Sequence, residues 1–330
     1  MAELSAKPLI EGVEKAVSQL ALGTAFFSSA SAAQWFELLD AFVDCGGTLI
    51  DSGRVYGDSE AVIGTWMEAR GNRDQVVLIT KGVHGEGVIP AADYPALVQR
   101  ELRTSLQLLK TDCIDLYLLH RDNQEMPVEK ILAPLNEEIA RGRVRAIGAS
   151  NWEYRRLEEA REYADKRGLP GFAAVSNNIS LALPAAAFYR GLVSTDRVGE
   201  AWHLDTGMPL IPWSSQARGF YSGRYTRERR DDATRGKVPE NGFERRMLEL
   251  YCSDENLARL QRARELGEQK GGYSALEVAL AWLLHKPYPL VPVVGPRTLA
   301  ELASCVKACS IALSGAEGRW LNLEDADLCS

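Results

Sequence analysis

From end to end, the chain alternates short, nearly all-apolar runs with longer stretches whose apolar residues recur every three or four positions. The runs LALGTA (20–25), TLIDS (48–52), VVLIT (76–80), IDLYLL (114–119), VRAIGAS (144–150), FAAVS (172–176), LIPWS (210–214) and LVPVV (290–294) predict eight strands. Near-continuous apolar strands suit a parallel sheet covered on both faces, whereas a half-exposed sheet shows strict alternation. The longer stretches predict helices. One is opened by Ser31, carries Trp35, Leu38, Leu39 and Phe42 on one face, and is stopped by Gly46. A second is capped by Ser59, with Val62, Ile63, Trp66 and Met67 inward. Val98, Leu102, Leu106 and Leu109 mark a third, and Ile131, Leu132, Leu135 and Ile139 a fourth.

Eight successive βα units in 330 residues predict an α/β fold of the (β/α)8 TIM-barrel kind. We expect one domain over residues 1–330, with its core from about 17 to 326, a long loop after strand seven and helices at the C-terminal end. A doubly wound sheet shares the alternation, but it usually announces a dinucleotide site with GxGxxG after its first strand, and LALGTAFFSS offers a single glycine. The polar stretch from Arg218 to Arg246 predicts a mobile, functional loop.

Composition changes this picture little: 46% of residues are hydrophobic and 25% charged, ordinary for a globular chain with a large core. A net charge of −7 argues against a nucleic-acid partner. No apolar run approaches a membrane span, and no basic-then-apolar leader opens the chain, so we expect a cytoplasmic protein without a membrane partner. Six dispersed cysteines without CxxC spacing read as reduced thiols. The four histidines (His84, His120, His203, His285) lack ligand spacing, which sets aside a metal-dependent hydrolase and predicts no metal.

Barrel active sites gather at the carboxyl ends of the strands. There the polar residues are Asp51 with Tyr56 five positions on, Lys81, His120, Ser150-Asn151, Ser176-Asn177-Asn178 and Trp213-Ser214-Ser215. Singly, each has an ordinary structural explanation: a helix cap, a solvated charge, a core histidine, a packed ring. Together, an acid, a phenol, an ammonium and an imidazole on three adjacent strands suit proton donation to a carbonyl oxygen. A phenol with an ordinary pKa near ~10 donates poorly at neutrality, and a nearby ammonium from Lys81, oriented by Asp51, is expected to lower that value. His120 is placed to fix the carbonyl oxygen.

In these residues the sequence resembles the aldo-keto reductases, over nearly the whole chain. TLIDSGRVYG is similar to the family's strand-two motif, with Asp51 and Tyr56 at the Asp and catalytic Tyr positions, while VLITK and IDLYLLH bring Lys81 and His120 to the family lysine and histidine. The resemblance implies carbonyl reduction with NADP(H), Tyr56 acting as general acid/base. Ser150 and Asn151 of GRVRAIGASNW would hold the nicotinamide carboxamide, and Trp213 of IPWSSQARGFYSGRY would stack on its ring. Ser214, Arg218, Gly219 and Arg224 fall where the family grips pyrophosphate, and Gly295 and Arg297 of VPVVGPRT lie at the last cofactor motif, Arg297 facing the adenosine 2′-phosphate. Three positions depart from the pattern: Ser176 replaces a glutamine, leaving Asn177, Asn178 or a water to complete the carboxamide contact; Trp213 replaces a tyrosine; Ser304-Cys305 replaces the Glu-Asn pair that meets adenine. Of the basic residues after strand seven, Arg218, Arg224, Arg227, Arg235 and Lys237 are expected to strap the cofactor, while Arg229 and Arg230 are read as solvated.

For substrate we expect Phe26 or Phe27 and Tyr56 as an apolar wall, with Arg121, Asp122 and Asn123 offering hydrogen bonds to an aldehyde, ketone or sugar-type carbonyl. The resemblance also admits a cofactor-binding regulatory subunit with little turnover; the intact set Asp51, Tyr56, Lys81 and His120 favours an enzyme.

Overall fold

Successive residues of a strand face opposite ways, so an apolar strand in a closed barrel feeds two cores at once. The computed structural model describes residues 3–7, 9–85, 89–235 and 241–325. In chain order its strands and helices are β1 (Ala6–Lys7), β2 (Val17–Ser18), β3 (Ala21–Gly23), α1 (Ala32–Asp44), β4 (Leu49–Asp51), α2 (Ser59–Arg70), β5 (Val77–Gly82), α3 (Tyr94–Leu108), β6 (Ile114–Leu119), α4 (Val128–Ala140), β7 (Val144–Ser150), α5 (Tyr154–Arg167) and β8 (Phe172–Ser176). There follow α6 (Arg197–Thr206), α7 (Arg227–Thr234), α8 (Gly242–Tyr251), α9 (Asp254–Gln269), α10 (Ala275–Leu284), β9 (Val293–Val294), α11 (Leu299–Ala308) and α12 (Gly315–Leu321).

A parallel sheet in the order β8-β7-β6-β5-β4-β3-β9 closes through Leu210, which bridges to Val175 on one side and Leu290 on the other. The result is the (β/α)8 barrel that the alternation predicts. Its inward set, including Leu49, Val77, Ile79, Leu116, Leu118 and Ala146, forms one apolar cluster with Ile10, Val13 and Val17 from the N-terminal hairpin. The outward set, including Ile50, Leu78, Tyr117, Leu119 and Ile147, packs with the helices in a larger cluster. The helix faces read from the sequence are those buried: Trp35, Leu38, Leu39 and Phe42 on α1, and Val62, Ile63, Trp66 and Met67 on α2.

Three expectations change, and one element is new. LIPWS is no ladder strand but one residue, Leu210, with a bridge on each side, because Pro209, Pro212, Pro289 and Pro292 have no N–H to donate. Closure therefore uses their carbonyls: Val175 N donates to Pro209 O (2.9 Å), Leu210 N to Pro289 O (2.9 Å), Val293 N to Pro212 O (3.0 Å) and Ala21 N to Pro292 O (3.0 Å). Ser59 does not cap α2; it is the first residue of that helix, and its hydroxyl bonds those of Ser52 (2.8 Å) and Thr24 (2.5 Å). The hairpin of β1 and β2 was not legible in the sequence. Finally, the polar segment after strand seven is largely built: a short 3-10 turn at Ala217–Ser222, then α7 and α8, capped by Thr226 and Asn241 side chains. Among the described residues, no helix is long and apolar enough to cross a membrane.

Candidate active site

The two-residue period that fills the barrel also builds its mouth. On β4 the inward series runs Leu49, Asp51; on β5 it runs Val77, Ile79, Lys81; past β6 it runs Leu116, Leu118, His120. Each series thus ends in a polar residue at the same rim. Lys81 is 1% exposed and donates from Nζ to Asp51 Oδ1 (2.5 Å) and to Ser52 O (2.8 Å). Tyr56 reaches the group through a turn in which Ser52 N still pairs with Ile79 O (2.9 Å), Arg54 N with Lys81 O (2.8 Å) and Tyr56 N with Gly53 O (2.9 Å). Its ring lies against Gly53, where a Cβ would sit 3.2 Å from Tyr56 Cε2. The Lys81 ammonium lies 5.0 Å from the Tyr56 ring centre, and the His120 ring stands edge-on to that ring at 5.6 Å. The four residues expected to act together are therefore neighbours.

Electrostatics refine one expectation. Burial raises the Tyr56 phenol above its ordinary value; Lys81 pulls against that rise, and Asp51 adds to it. The ammonium thus opposes the upward shift without reversing it, correcting the lowered phenol expected from the sequence. Burial works to lower Lys81, yet Asp51 and Tyr56 together hold it above its usual value. Asp51 is itself raised by burial, with Lys81 opposing, so the two titrate as a coupled pair. Burial first, then Lys81, His84 and Arg121, push His120 well below the ordinary imidazole value. At neutral pH the mouth holds a protonated phenol, a buried ion pair and an uncharged imidazole.

On the other wall the expected cofactor residues divide into those committed to the protein and those left open. Ser150 Oγ donates to Ser176 O (2.8 Å), and Asn151 donates to His120 O (3.1 Å) and to Ser150 Oγ (3.0 Å). Asn177 is tied to both backbone groups of Trp152, and Asn178 donates to Trp213 O (2.8 Å), so both amides are anchored in the protein. The buried Ser176 hydroxyl and Trp213 Nε1, by contrast, have no hydrogen-bond partner among the described residues, and the Trp213 ring is half-buried. Beyond it Ser214, Ala217, Arg218 and Gly219 all take positive φ (51°, 49°, 54° and 86°), and a Cβ on Gly219 would meet nothing within 4 Å. Turns that expose successive backbone N–H groups make anion-binding concavities; here Ala217 N and Gly219 N are used within the turn, on Ser214 O (2.9 Å) and Gln216 O (3.0 Å). An orphan hydroxyl, a half-open indole and such a turn fit a nicotinamide dinucleotide.

At the last cofactor motif, Gly295 is exposed and faces the Phe26 ring, and the Arg297 guanidinium lies 4.1 Å over that same ring. Ser304 donates to Glu277 Oε1 (2.9 Å), and Cys305 is buried against Gln216. The basic segment is cross-tied to its own helices. Arg224 lies 4.0 Å from buried Glu244, which also pairs with Arg229, and Asp254 takes Arg227 (3.0 Å) and Arg230 (2.8 Å). Arg229 and Arg230 are thus not merely solvated, because carboxylates on or beside α8 and α9 reach them. Lys237 lies outside the described residues.

The expected substrate wall changes more. Phe27 is 4% exposed and stacks on Trp35 at 4.6 Å, so it belongs to the core. Phe26 is 55% exposed but turns toward Arg297. Asp122 is buried in an ion pair with Arg156 (3.2 Å), and Asn123 donates to Ile89 O (2.8 Å), which removes both as polyol contacts. Arg121 stays half-buried beside His120, close to Gly191.

Sequence reasoning missed the segment after β8. There Phe188 and Tyr189 reach the Arg218 guanidinium, 4.3 and 5.9 Å from the two ring centres. Adjacent aromatics in AAAFYRG, outside any periodic element, were the available signal. His84, whose ring lies 4.6 Å from that of His120, was also passed over.

The profile of the Aldo/keto reductase family matches residues 19–319 of the chain. The chain is 31% identical to a norsolorinic acid reductase of Emericella nidulans over 325 residues, 91% of this chain and 76% of the relative. It is 30% identical to an NADP(+) aryl-alcohol dehydrogenase of Phanerodontia chrysosporium over 302 residues, 87% and 74% of the two chains. An uncharacterized oxidoreductase of Bacillus subtilis is 29% identical over 329 residues, 93% of this chain and 91% of its own length.

Proposed function

The chain belongs to the aldo/keto reductase family, and from that premise we propose that it reduces an aryl aldehyde or ketone with NADPH, Tyr56 giving the proton. The observation that carries this reading is the mouth where Tyr56, Lys81, Asp51 and His120 meet. When bound, the nicotinamide supplies hydride to the carbonyl carbon. The Tyr56 hydroxyl gives its proton to the carbonyl oxygen, so that an alcohol leaves and a phenolate remains. Lys81 stabilises that phenolate, and Asp51 keeps Lys81 charged and aimed. Uncharged His120 is the second group available to the carbonyl oxygen, and fixed polar groups at a developing oxyanion are often the largest catalytic contribution. Ser176 and Trp213 would hold the nicotinamide, the turn at Ser214 and Gly219 with Arg224 the pyrophosphate, and Arg297 with Gly295 the adenosine end.

Aryl substrates suit this site better than sugars, since Asp122 and Asn123 are spent on the protein while Phe188, Tyr189 and Trp213 gather round Arg218. Two of the relatives named above carry substrates in their names, an aryl alcohol and norsolorinic acid. The test is NADPH oxidation with benzaldehydes by the native protein and by Tyr56→Phe. Loss of the proton donor should cut kcat/KM by ~10²–10⁴-fold with NADPH still quenching tryptophan emission, and NADPH should bind more tightly than NADH. Equal activity of the two proteins removes Tyr56 from its role. Inertness of both toward every carbonyl, with cofactor binding intact, replaces this reading with that of a cofactor-holding regulatory subunit.

A further inference from the structure

Arg218 is the one arginine of the segment from Arg218 to Arg230 for which no carboxylate partner is found among the described residues. Arg224 and Arg229 meet Glu244, and Arg227 and Arg230 meet Asp254. Arg218 instead turns into a cage of rings: its guanidinium carbon is 4.3 Å from the centre of Phe188, 5.6 Å from that of Trp213 and 5.9 Å from that of Tyr189. Its Nε is buried without a hydrogen-bond partner among the described residues. The Tyr251 hydroxyl accepts a hydrogen bond from the guanidinium but, as a neutral group, leaves its charge uncompensated. A half-buried guanidinium gains from ring faces, but rings do not neutralise it, and a desolvated charge without a counter-ion is costly. Such a group is matched by an incoming anion.

Which anion follows from the neighbours. The Arg218 guanidinium lies 5.6 Å from the ring centre of Trp213, the indole proposed to carry the nicotinamide from which hydride leaves. An oxyanion paired with Arg218 would therefore sit on the molecule whose carbonyl faces Tyr56. The surrounding rings provide an apolar wall for an aryl body. At the rim Arg246 covers the same two aromatics, 5.6 Å from Phe188 and 5.3 Å from Tyr189, adding a second positive charge on the approach.

We propose that Arg218, with Arg246 outside it, selects aryl carbonyl substrates that carry an anionic oxygen substituent on the ring, a carboxylate being the simplest. This deepens the substrate class given above and rests on that reading. It moves Arg218 from the cofactor's pyrophosphate to the substrate. A guanidinium fork binds a carboxylate bidentately, which a lysine cannot reproduce.

The experiment compares 4-carboxybenzaldehyde with neutral 4-methylbenzaldehyde for the native protein, Arg218→Lys and Arg218→Met. The native protein should prefer the carboxylated aldehyde by ~10–100-fold in kcat/KM, the span of a charged hydrogen-bonded contact, with the difference carried by KM. Arg218→Met should bring the ratio near one, and Arg218→Lys should leave part of it. Alongside, binding of benzoate and of benzamide to the NADPH-loaded native protein is followed by tryptophan emission, which needs neither a variant nor turnover; benzoate should bind and benzamide should bind far less. An unchanged ratio in Arg218→Met with weakened NADPH binding returns the arginine to the pyrophosphate and overturns the proposal. So does a native protein that treats the two aldehydes alike, or benzamide binding as well as benzoate. If neither aldehyde is reduced but benzoate binds selectively, the reductase reading fails and the anion site stands.

Discussion

Lys81 and Asp51 illustrate how far a single residue's energetics depend on its partner. Both lie inside the barrel, and either alone would be an uncompensated charge in a medium that solvates it poorly. Lys81→Met should therefore lower stability by ~3–5 kcal/mol and collapse turnover. Adding Asp51→Asn should recover much of the stability and none of the activity, as read by urea unfolding and NADPH oxidation. Were the single variant as stable as the native protein, the pair would not be the buried ion pair described. His203 offers a second residue-scale expectation, away from the mouth. It is fully buried, bonded to Met208 O (2.7 Å) and to the Tyr154 hydroxyl (3.1 Å), and burial brings its pKa down from 6.5 to about 4. A group depressed on folding contributes fully above its unfolded value and loses that contribution as pH falls toward its folded one. Between pH about 6.5 and about 4, His203 should account for up to about 3 kcal/mol of lost stability. In His203→Gln the fall in unfolding free energy across that window should be shallower, and an unchanged slope would exclude this histidine as the cause.

At the scale of elements, α2 and α3 meet where only glycine fits. A Cβ on Gly64 would stand 2.1 Å from Leu108 O and 2.8 Å from Leu109 Cα, both backbone atoms that cannot rotate away. Gly64→Ala, favourable by helix propensity alone, should instead cost ~1–3 kcal/mol through overpacking. A stabilised variant in thermal unfolding would show that the helices move apart freely. Most of the helices were readable because a periodic apolar face and its burial are the same fact, seen first in sequence and then in space: Trp35, Leu38, Leu39 and Phe42 are a clear instance. The seventh strand was misjudged for an equally physical reason. LIPWS has the composition of a strand, but its prolines and those of the eighth run leave closure to a few carbonyls. The capping role of Ser59 was misread because two hydroxyls more than thirty positions apart in the chain, Thr24 and Ser59, turn out to be neighbours, and local sequence carries no trace of that.

For the molecule as a whole, the two ends of the barrel do different work. The C-terminal rim gathers the polar residues of the mouth, whereas the opposite end is closed by the N-terminal hairpin, whose Ile10, Val13 and Val17 continue the inward cluster. Below them Asp115, wholly buried, is ringed by Lys15 (3.2 Å), Arg73 (2.8 Å) and Arg145 (3.4 Å). Val13→Ala should cost about 2 kcal/mol by opening this floor while leaving the KM for an aldehyde as it was. A changed KM would mean that the floor and the mouth communicate through the barrel interior.

The barrel was determined by the sequence on its own, because a parallel strand buried on both faces must be apolar throughout and a helix lying against it must be apolar on one side. The catalytic group was legible for a related reason: the period of two places Asp51, Lys81 and His120 at the inward end of three successive strands, whatever the details of packing. What only the tertiary structure decided is which polar side chains remain available. Asn177, Asn178, Asp122 and Asn123 look in sequence like ligands in waiting and are in fact held by distant backbone or side-chain partners. Arg218 looks like one cation among many and is the one in its segment that packs among rings with no carboxylate found among the described residues. Hydrogen bonds and ion pairs join groups far apart along the chain, so their satisfaction is a property of the folded arrangement, and so is every polar atom that the fold leaves unmatched.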